Sequence, residues 1–445
     1  MKNLTILLIN LIGLMCMSVV TAQGSADDVG AFTRGHGIRP FAKGQDCVKF
    51  GIWDRTTRTC TLATDLSGAI YILLDDATLD CAGHKLVGPG PGFGAFWIAG
   101  IFLEDSSENV TVKNCDISDH IFCILGVNNN SHTIERNYIH DCPRGIRFDG
   151  GSGNHQILNN MITETNRPIA VINNDNKISG NIIANPNTIA NGIFVGGQGN
   201  EVSYNDISGA EDSSVFFYGS DNIIANNRIH DSAGIQMEYR DQEGPSGNNY
   251  VVDNVIEAGF RDNTCFIPLF LCDNGISLSA YRAQVNFNDS FGNGVTDNNT
   301  IAGNTILNFS GVGIELDNIG TNTVVSDNVI TGNFLGGIRL AHGCPTCEYE
   351  FMRNDIVGNI GTPLISIDSS YDQDLNRTPL GPLAVDITGD DGLGNPIGNY
   401  WGRDDCPTGP FFVAGVDSND GSVVDSNPFG IPVAGLASVP TPPGC

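Results

Sequence analysis

The chain has 445 residues and a formal net charge of -28 at pH 7, with 22 Lys and Arg residues against 50 Asp and Glu residues. A surface this acidic repels phosphate backbones, which argues against nucleic acid as a partner. Glycine is abundant, at 55 residues, and no long amphipathic helix pattern is visible, so a predominantly helical fold is excluded.

Residues 1–22 form a predicted secretory signal peptide. Lys2 supplies a positive start, LTILLINLIGLMCMSVV is the apolar region, and Val20 and Ala22 are small residues before a cleavage site. An uncleaved membrane anchor is the alternative. No other run approaches the ~18 apolar residues of a transmembrane helix. We therefore expect an exported monomer (extracellular, periplasmic or at the cell surface) with no membrane span after cleavage of the signal.

The cysteines predict disulfide bonds. Of 13 cysteines, Cys16 lies in the signal peptide, and an even number remains in an oxidising compartment. Spacing and position in the chain predict four pairs, which are Cys47 with Cys60, Cys265 with Cys272, Cys344 with Cys347, and Cys406 with Cys445. The pairing is left open for Cys81, Cys115, Cys123 and Cys142.

Three further regions follow the signal peptide. Residues 23–64 form a predicted N-terminal cap, in which FGIWDRTTRTC, ending at Cys60, would cover the first β edge with aromatic side chains. Residues 65–402 carry a repeat. Residues 403–445 form a predicted C-terminal cap with a Pro-rich tail.

In the repeat, an Asn precedes an x-Ile or equivalent apolar pair, mostly at steps of 21 to 27 residues, with one enlarged step of 50. The repeated positions are Asn114, Asn137, Asn160, Asn181, Asn205, Asn227, Asn254, Asn304, Asn328, Asn354 and, after an irregular step, Asn399. A second short strand recurs in the repeats as GIFL, GIRF, GIFV, GIQM, GISL, GIEL and GIRL, beginning at Gly100, Gly145, Gly192, Gly234, Gly275, Gly313 and Gly337. This period with such short strands indicates a β-solenoid.

The repeat predicts an all-β, single-stranded, right-handed parallel β-helix with caps at both ends. Inward Ile, Val and Leu are buried only when turns stack, and the crossover rule for parallel strands gives right-handed winding. Equivalent Asn residues would then lie ~4.8 Å apart. Each would take the left-handed backbone of a corner and bond its amide to the Asn above and below.

Segments at both ends of the repeat resemble a known group. TCTLATDLSGAIYILLDDATLDCAGHKLVG (Thr59–Gly88), GNYWGRDDCPTGPF and DGSVVDSNPF resemble secreted right-handed β-helix (PbH1 repeat) proteins of the NosD-like, carbohydrate-binding-and-sugar-hydrolase (CASH) group. The resemblance runs from Cys47 to Phe429. It implies the fold but leaves the reaction open, because the group includes lyases, hydrolases, epimerases and proteins without a known reaction.

In each G-I-x-L-x strand the two x positions are expected to face solvent, which gives two columns. The first outward column is Arg147, Ala170, Phe194, Phe216, Gln236, Ser277, Glu315, Arg339 and Ser366. The second outward column is Asp149, Ile172, Gly196, Tyr218, Glu238, Ser279, Asp317, Ala341 and Asp368. The early turns are mostly apolar, and charge concentrates from Glu238 to Asp368.

The repeat is enlarged beside these charges. Extra residues lie on both sides of GISL, at 258–273 and 280–298, and such long loops are typical of functional sites. They would wall a groove with predicted catalytic residues Glu238, Glu315, Asp317, Tyr281 and His342. Its predicted substrate-binding residues are Arg240, Arg282, Arg339, Tyr239 and Asp241.

This groove predicts a secreted carbohydrate-active protein that binds, and cleaves or epimerises, an extracellular polysaccharide. Glu315 and Asp317 are expected ~7 Å apart along one strand, with Glu238 at ~10 Å, a spacing that suits an inverting glycoside hydrolase. In a lyase or epimerase, Arg282 or Arg339 would neutralise a uronate while Tyr281 or His342 removes a proton. The alternative is a non-catalytic surface or adhesion protein, in which the acidic residues of this face contact water and have no catalytic role.

Two further motifs are secondary. His140-Asp141 and His230-Asp231 repeat an I-H-D corner but lie ~19 Å apart, too far to share a proton or a metal. DITGDDG, from Asp386, and DSNDG, from Asp417, resemble calcium loops, with ordinary Asp/Gly turns as the alternative. No other cofactor and no other metal site is predicted.

Overall fold

The computed structural model describes residues 47–90, 99–105, 107–188, 191–238, 247–259, 273–279, 298–317, 322–341, 349–359 and 365–368, and five short strands between residues 385 and 425. Within these residues the chain is a β-solenoid, which confirms the predicted fold class. The described part begins with a short 3-10 helix, Cys47–Lys49. None of the helices in that part has the length and apolar character needed to cross a bilayer.

Three sheets run along the solenoid, and the chain passes through A, B and C in that order in each turn. Sheet A has 13 strands: Gly51–Asp54, Thr59–Leu62, Thr78–Asp80, Thr111–Lys113, Thr133–Glu135, Gln156–Leu158, Lys177–Ser179, Glu201–Ser203, Ile223–Ala225, Tyr250–Val252, Thr300–Ala302, Thr323–Ser326 and Tyr349–Met352. Its first pair is antiparallel and closes the N-terminal edge, and the other pairs are parallel.

Sheets B and C have 12 strands each and are parallel throughout. Sheet B contains Leu66–Ser67, Lys85–Val87, Asp116–Ser118, Tyr138–His140, Met161–Thr163, Ile182–Thr188, Asp206–Ala210, Arg228–His230, Val255–Glu257, Thr305–Leu307, Val329–Thr331 and Asp355–Val357. Sheet C contains Ile70–Ile72, Ala99–Leu103, Phe122–Val127, Arg144–Asp149, Arg167–Ile172, Ile193–Gly196, Val215–Tyr218, Ile235–Glu238, Ile276–Ser279, Val312–Asp317, Gly336–Ala341 and Ile365–Asp368.

Five short strands lie beyond the solenoid. Val385–Asp386, Val423–Asp425 and Phe411–Val413 form a three-stranded sheet, and Gly389–Asp390 pairs with Pro396–Ile397. The predicted boundaries at residues 22, 64 and 402 stay predictions.

The core lies between the three sheets. The central residue of most strands in sheets A and B is aliphatic and points inward, as in the stack of Ile134, Ile157 and Ile178 along sheet A. Each such side chain contributes roughly 1.5–3 kcal/mol by leaving water. A single turn cannot bury these residues by itself, so the turns fold only as a stack.

An asparagine ladder fills the corner between sheets A and B. The side-chain amide of Asn160 donates to Oδ1 of Asn181 at 3.0 Å and to the carbonyl of Ile134 at 2.9 Å. The backbone N–H of Asn160 donates to the same Oδ1, at 2.9 Å. The ladder comprises Asn137, Asn160, Asn181, Asn205, Asn227, Asn254, Asn304, Asn328 and Asn354. The predicted amide bonds between turns are confirmed, and these side chains are buried.

Two details of the ladder prediction are wrong. Asn114 is not a member, because the backbone N–H of Cys115 donates to Asn137 and Cys115 therefore occupies the ladder position. The ladder residues also do not take the left-handed backbone, which belongs to the residue before each of them, as at Arg136 (φ 52°) and Asn159 (φ 55°). The chain turns at that residue, and the turn directs the following amide into the corner.

Three disulfides lie in the N-terminal part of the described chain. The predicted Cys47–Cys60 bond is confirmed, and the open set pairs as Cys81–Cys115 and Cys123–Cys142. Cys81–Cys115 links successive turns beside the ladder, before the first Asn pair. The other predicted pairs involve cysteines outside the described residues. A bond that closes a loop of this length typically adds about 2–4 kcal/mol.

Candidate active site

The two outward columns on sheet C have the predicted registers. Arg147 pairs with Ala170, and the first outward column continues turn by turn to Glu315, Arg339 and Ser366. In the second outward column, Glu238 pairs with Ser279, which pairs with Asp317. Residues far apart in sequence therefore lie on one face.

Part of this face is not open to solvent, contrary to the prediction for Ala170, Phe216 and Tyr218. Their exposed fractions are 6%, 5% and 1%. Phe216 stacks on Phe194 with ring centroids 5.2 Å apart, and Tyr218 meets Phe194 edge-on at 5.8 Å. Gly196 makes this packing possible, since a Cβ there would lie 2.1 Å from the Tyr218 hydroxyl. The aromatic side chains thus pack on one another.

Glu315 is the centre of a polar cluster on the following turns. Its carboxylate accepts hydrogen bonds from the Arg339 guanidinium at Oε1, through Nε at 3.0 Å and through Nη2. Its other oxygen, Oε2, accepts from the amide of Asn274 and from the hydroxyl of Ser277, the latter at 3.4 Å. The side chain is 13% exposed. Acceptance on both oxygens is the bonding pattern of an ionised carboxylate.

Asn274 was not among the predicted site residues. Its Oδ1 accepts the backbone N–H of Val312 at 3.0 Å, while its amide donates to Glu315. It therefore ties the enlarged turn to the strand that carries Glu315. No signal in the sequence distinguished it, because an Asn-Gly pair precedes the strand both here, at Asn274, and in the GIFV copy, at Asn191.

Glu238 lies two turns before Asp317 in the second outward column, which corresponds to ~10 Å. Its Oε1 accepts a hydrogen bond from Gln236 at 3.2 Å. The strand position of Asp317 is described, but its side chain is not. Six predicted residues lie outside the described residues and stay predictions: Tyr239, Arg240, Asp241, Tyr281, Arg282 and His342.

The two I-H-D corners have nearly the same geometry on sheet B. Nε2 of His140 contacts Asp116 of the preceding turn at 2.9 Å, and its Nδ1 contacts Asp141 at 2.6 Å. The corresponding contacts of His230 are to Asp206 at 3.0 Å and Asp231 at 3.2 Å. The hydrogen bonds to its two carboxylates raise the pKa of His140 in spite of its partial burial. Each imidazole thus ties two turns together.

No metal-binding centre is found among the described residues. Within the ranges that the structure describes, no three His, Cys, Asp or Glu side chains are grouped so as to hold a metal ion. The side chains of the DITGDDG and DSNDG turns lie outside those ranges. Calcium binding at these turns therefore stays a prediction.

Three parallel sheets wound from one chain, with ladders of equivalent residues along the axis, define a parallel β-helix. The family model described as right handed beta helix region matches residues 123–291 and 191–372, and the chain belongs to this family. This confirms the predicted resemblance at the level of the family, while the NosD-like or CASH subgroup stays a prediction. No curated protein is significantly similar in sequence.

Several solved structures are similar in fold. The catalytic domain of an α-1,3-glucanase in complex with tetrasaccharides has 15% identity and a TM-score of 0.46, over 72% of this chain and 63% of that chain. A periplasmic alginate epimerase has 14% identity and a TM-score of 0.48, over 73% and 80%. An alginate lyase has 14% identity and a TM-score of 0.44, over 84% and 88%. The chain thus spans less than two thirds of the glucanase chain, and identities this low concern the fold alone.

Proposed function

We propose that the protein binds an extended polysaccharide along the outward face of sheet C and acts on it beside Glu315. The observation that carries this proposal is the polar cluster of Glu315, Arg339, Asn274 and Ser277 on successive turns of sheet C, the sheet that carries the stacked Phe216 and Phe194 two and three turns before Ser277.

The aromatic side chains support binding of sugar rings. Partly exposed aromatic rings lie on this face, at Tyr71 and Phe102 with centroids 5.8 Å apart, and again at Phe194. An aromatic face combines apolar contact with a directional π-surface, which suits the C–H face of a pyranose. Equivalent side chains recur every ~4.8 Å, so a linear glycan lying along the axis meets a repeating surface.

The cluster supports a catalytic role for Glu315 as an acceptor. Arg339 and Asn274 hold the carboxylate in one orientation, and a base or nucleophile role requires that a bound sugar displace Ser277, whose hydroxyl contact at 3.4 Å is long, from Oε2; the acid would be Asp317 or Glu238. Arg339 is engaged by Glu315, which favours a role in holding that carboxylate over neutralising a uronate. Hydrolysis is therefore favoured over elimination or epimerisation.

The double variant Glu315→Gln, Asp317→Asn tests the proposal. Because both candidate carboxylates are lost, turnover is expected to fall about 10²–10⁴-fold while glycan binding persists. The assay follows sugar release, and ultraviolet absorbance of unsaturated uronates, on panels of neutral and acidic glycans. The matched control is Asp253→Asn, Glu257→Gln, which removes two exposed acids elsewhere and should leave turnover unchanged.

A non-catalytic surface or adhesion protein is the second candidate. One observation favours it: both oxygens of Glu315 are satisfied within the protein, as they would be in a purely structural ion pair. This candidate predicts that the double variant changes no function. Absence of binding and of product on a broad panel would contradict the first candidate.

A further inference from the structure

Three arginines lie together on early turns of sheet C, away from Glu315. Arg144 and Arg167 are partners in adjacent turns, and Arg147 is partnered by Ala170 in the first outward column. We call Arg144, Arg147 and Arg167 the arginine patch. Six turns separate Arg147 from Glu315, which corresponds to ~29 Å along the same face.

The positive charge of the arginine patch is only partly neutralised. Arg147 pairs with Asp149 through Nε at 2.5 Å. Among the residues that the structure describes, no carboxylate lies within ion-pair distance of Arg144 or Arg167. Burial, together with repulsion from Arg147 and Arg167, lowers the pKa of Arg144. The protein therefore holds like charges together on this face.

This arrangement is unusual in so acidic a chain. On sheets A and B, and at their corners, many cations face a carboxylate: Lys113 faces Asp80, Arg136 faces Glu135, Lys177 faces Glu201, Arg228 faces Asp206 and Arg353 faces Asp327. A protein with a net charge of -28 has acids available to neutralise its cations. An excess of cations on one face is the pattern expected where an anion binds.

The guanidinium of Arg144 is also held in place. It lies over the ring of Phe122, the equivalent residue of the preceding turn, with 4.9 Å between Cζ and the ring centroid. This contact keeps the guanidinium oriented without neutralising it. Arg167, on the next turn, is exposed. Guanidinium groups bind carboxylates and sulfates through paired hydrogen bonds, so two of them on adjacent turns suit anions spaced along a linear chain.

We infer that the arginine patch binds the anionic groups of an acidic polysaccharide, either uronate carboxylates or sulfate esters. The inference rests on the proposed function, since it names the class of glycan that would lie along sheet C towards Glu315. Because the chain has a net charge of -28, such a polyanion would dock where cations are grouped, at the arginine patch.

The test compares binding of three probes by isothermal titration calorimetry: oligogalacturonates, sulfated dextran oligosaccharides and neutral dextran oligosaccharides. The variant Arg144→Gln, Arg167→Gln is expected to bind an anionic probe more than about tenfold more weakly, because both charge-assisted guanidinium contacts with the anion are lost. The anionic probe that loses affinity identifies the source of the anion. Arg167→Gln alone, at an exposed position, serves as a second variant whose folding is not at risk.

The control is Arg136→Gln, Arg228→Gln, which removes the same charge from the other sheets. Equal weakening by this control would overturn the inference, as would wild-type protein that binds neutral dextran as tightly as either anionic probe. The two proposals can be told apart. If binding of an acidic glycan depends on the arginines while the variant Glu315→Gln, Asp317→Asn keeps full activity, the arginine patch is supported and catalysis at Glu315 is contradicted.

Discussion

Replacing Asn205 by alanine is expected to lower the free energy of unfolding by about 4 kcal/mol. Oδ1 of Asn205 accepts both the backbone N–H and the side-chain amide of Asn181, each at 3.0 Å. Its own amide donates to the carbonyl of Ile178 at 2.9 Å and to Asn227 at 3.0 Å. Truncation leaves the buried backbone N–H of Asn181 without its acceptor, at about 1–3 kcal/mol, and removes three further hydrogen bonds, at about 0.5–1.5 kcal/mol each.

Urea unfolding followed by circular dichroism measures this change. The control is Asn166→Ala, which removes the same side chain from an exposed position and should shift stability by less than about 0.5 kcal/mol. If the two variants unfold alike, the ladder amides contribute no more than surface amides, and the account of the corner is wrong.

Acid is expected to destabilise the solenoid strongly because its N-terminal turns bury neutral histidines. Burial lowers the pKa of His120 and of His132 from 6.5 to about 4. Burial, and repulsion from His132, lower the pKa of His155 to about 3. The unfolded chain therefore binds more protons than the folded chain below pH 6.5, so stability is full above that pH and is lost as the pH falls towards 4.

Two of these histidines are members of a second ladder, at the corner before sheet A. Nδ1 of His132 accepts the backbone N–H of Val110 at 3.1 Å, and Nδ1 of His155 accepts that of His132 at 3.2 Å. Asparagines occupy the same position in later turns, beginning with Asn176, whose Oδ1 accepts the N–H of His155 at 2.9 Å. Protonation of Nδ1 would remove the acceptor, which explains why the ladder requires neutral rings.

The expected loss of unfolding free energy in acid is large compared with the total stability of a typical protein. At about 1.4 kcal/mol per pKa unit, each of the three histidines contributes about 3 kcal/mol between pH 6.5 and pH 4. The free energy of unfolding should therefore fall by about 4 kcal/mol per pH unit near pH 5 from these groups.

The variant His132→Asn, His155→Asn continues the ladder with amides and should remove about two thirds of that slope. Urea unfolding between pH 7 and pH 4.5 provides the slopes, and His84→Asn, at a partly exposed position, provides the control. Equal slopes in wild type and double variant would contradict the assignment of the acid sensitivity to these rings.

Much of the architecture could be predicted from sequence because the repeat determines the stacking. Once Asn160, Asn181 and Asn205 are known to be equivalent, residues at a fixed offset from them are expected to form a column. The first outward column, from Arg147 to Ser366, has this register. The identity of the left-handed residue was not predictable in the same way. Arg136, Tyr204 and Arg353 take that conformation although their residue types do not favour it, because the ladder beside them stabilises the corner.

The site was harder to predict because it depends on contacts between side chains. Glu315 and Arg339 followed from their column, whereas Asn274 lies before its strand and contacts Glu315 only through local geometry. Phe216 and Tyr218 were assigned to solvent because an alternating pattern identifies the outer face of a sheet but not what packs on it. The ladder that contains His132 and His155 was not predicted, because it lies at the corner before sheet A and the repeated Asn series lies at the corner between sheets A and B.

The step between Asn254 and Asn304 shows that the solenoid accommodates a long insertion between two ladder residues. These residues are 50 apart in sequence, yet their amide contact of 3.0 Å matches that of neighbours separated by 21 residues. Sheets A and B also keep their register across the step. New segments can therefore be inserted beside the sheet C strand without altering the turns on either side. The stacked core thus leaves the length of the chain unconstrained at this point of the turn.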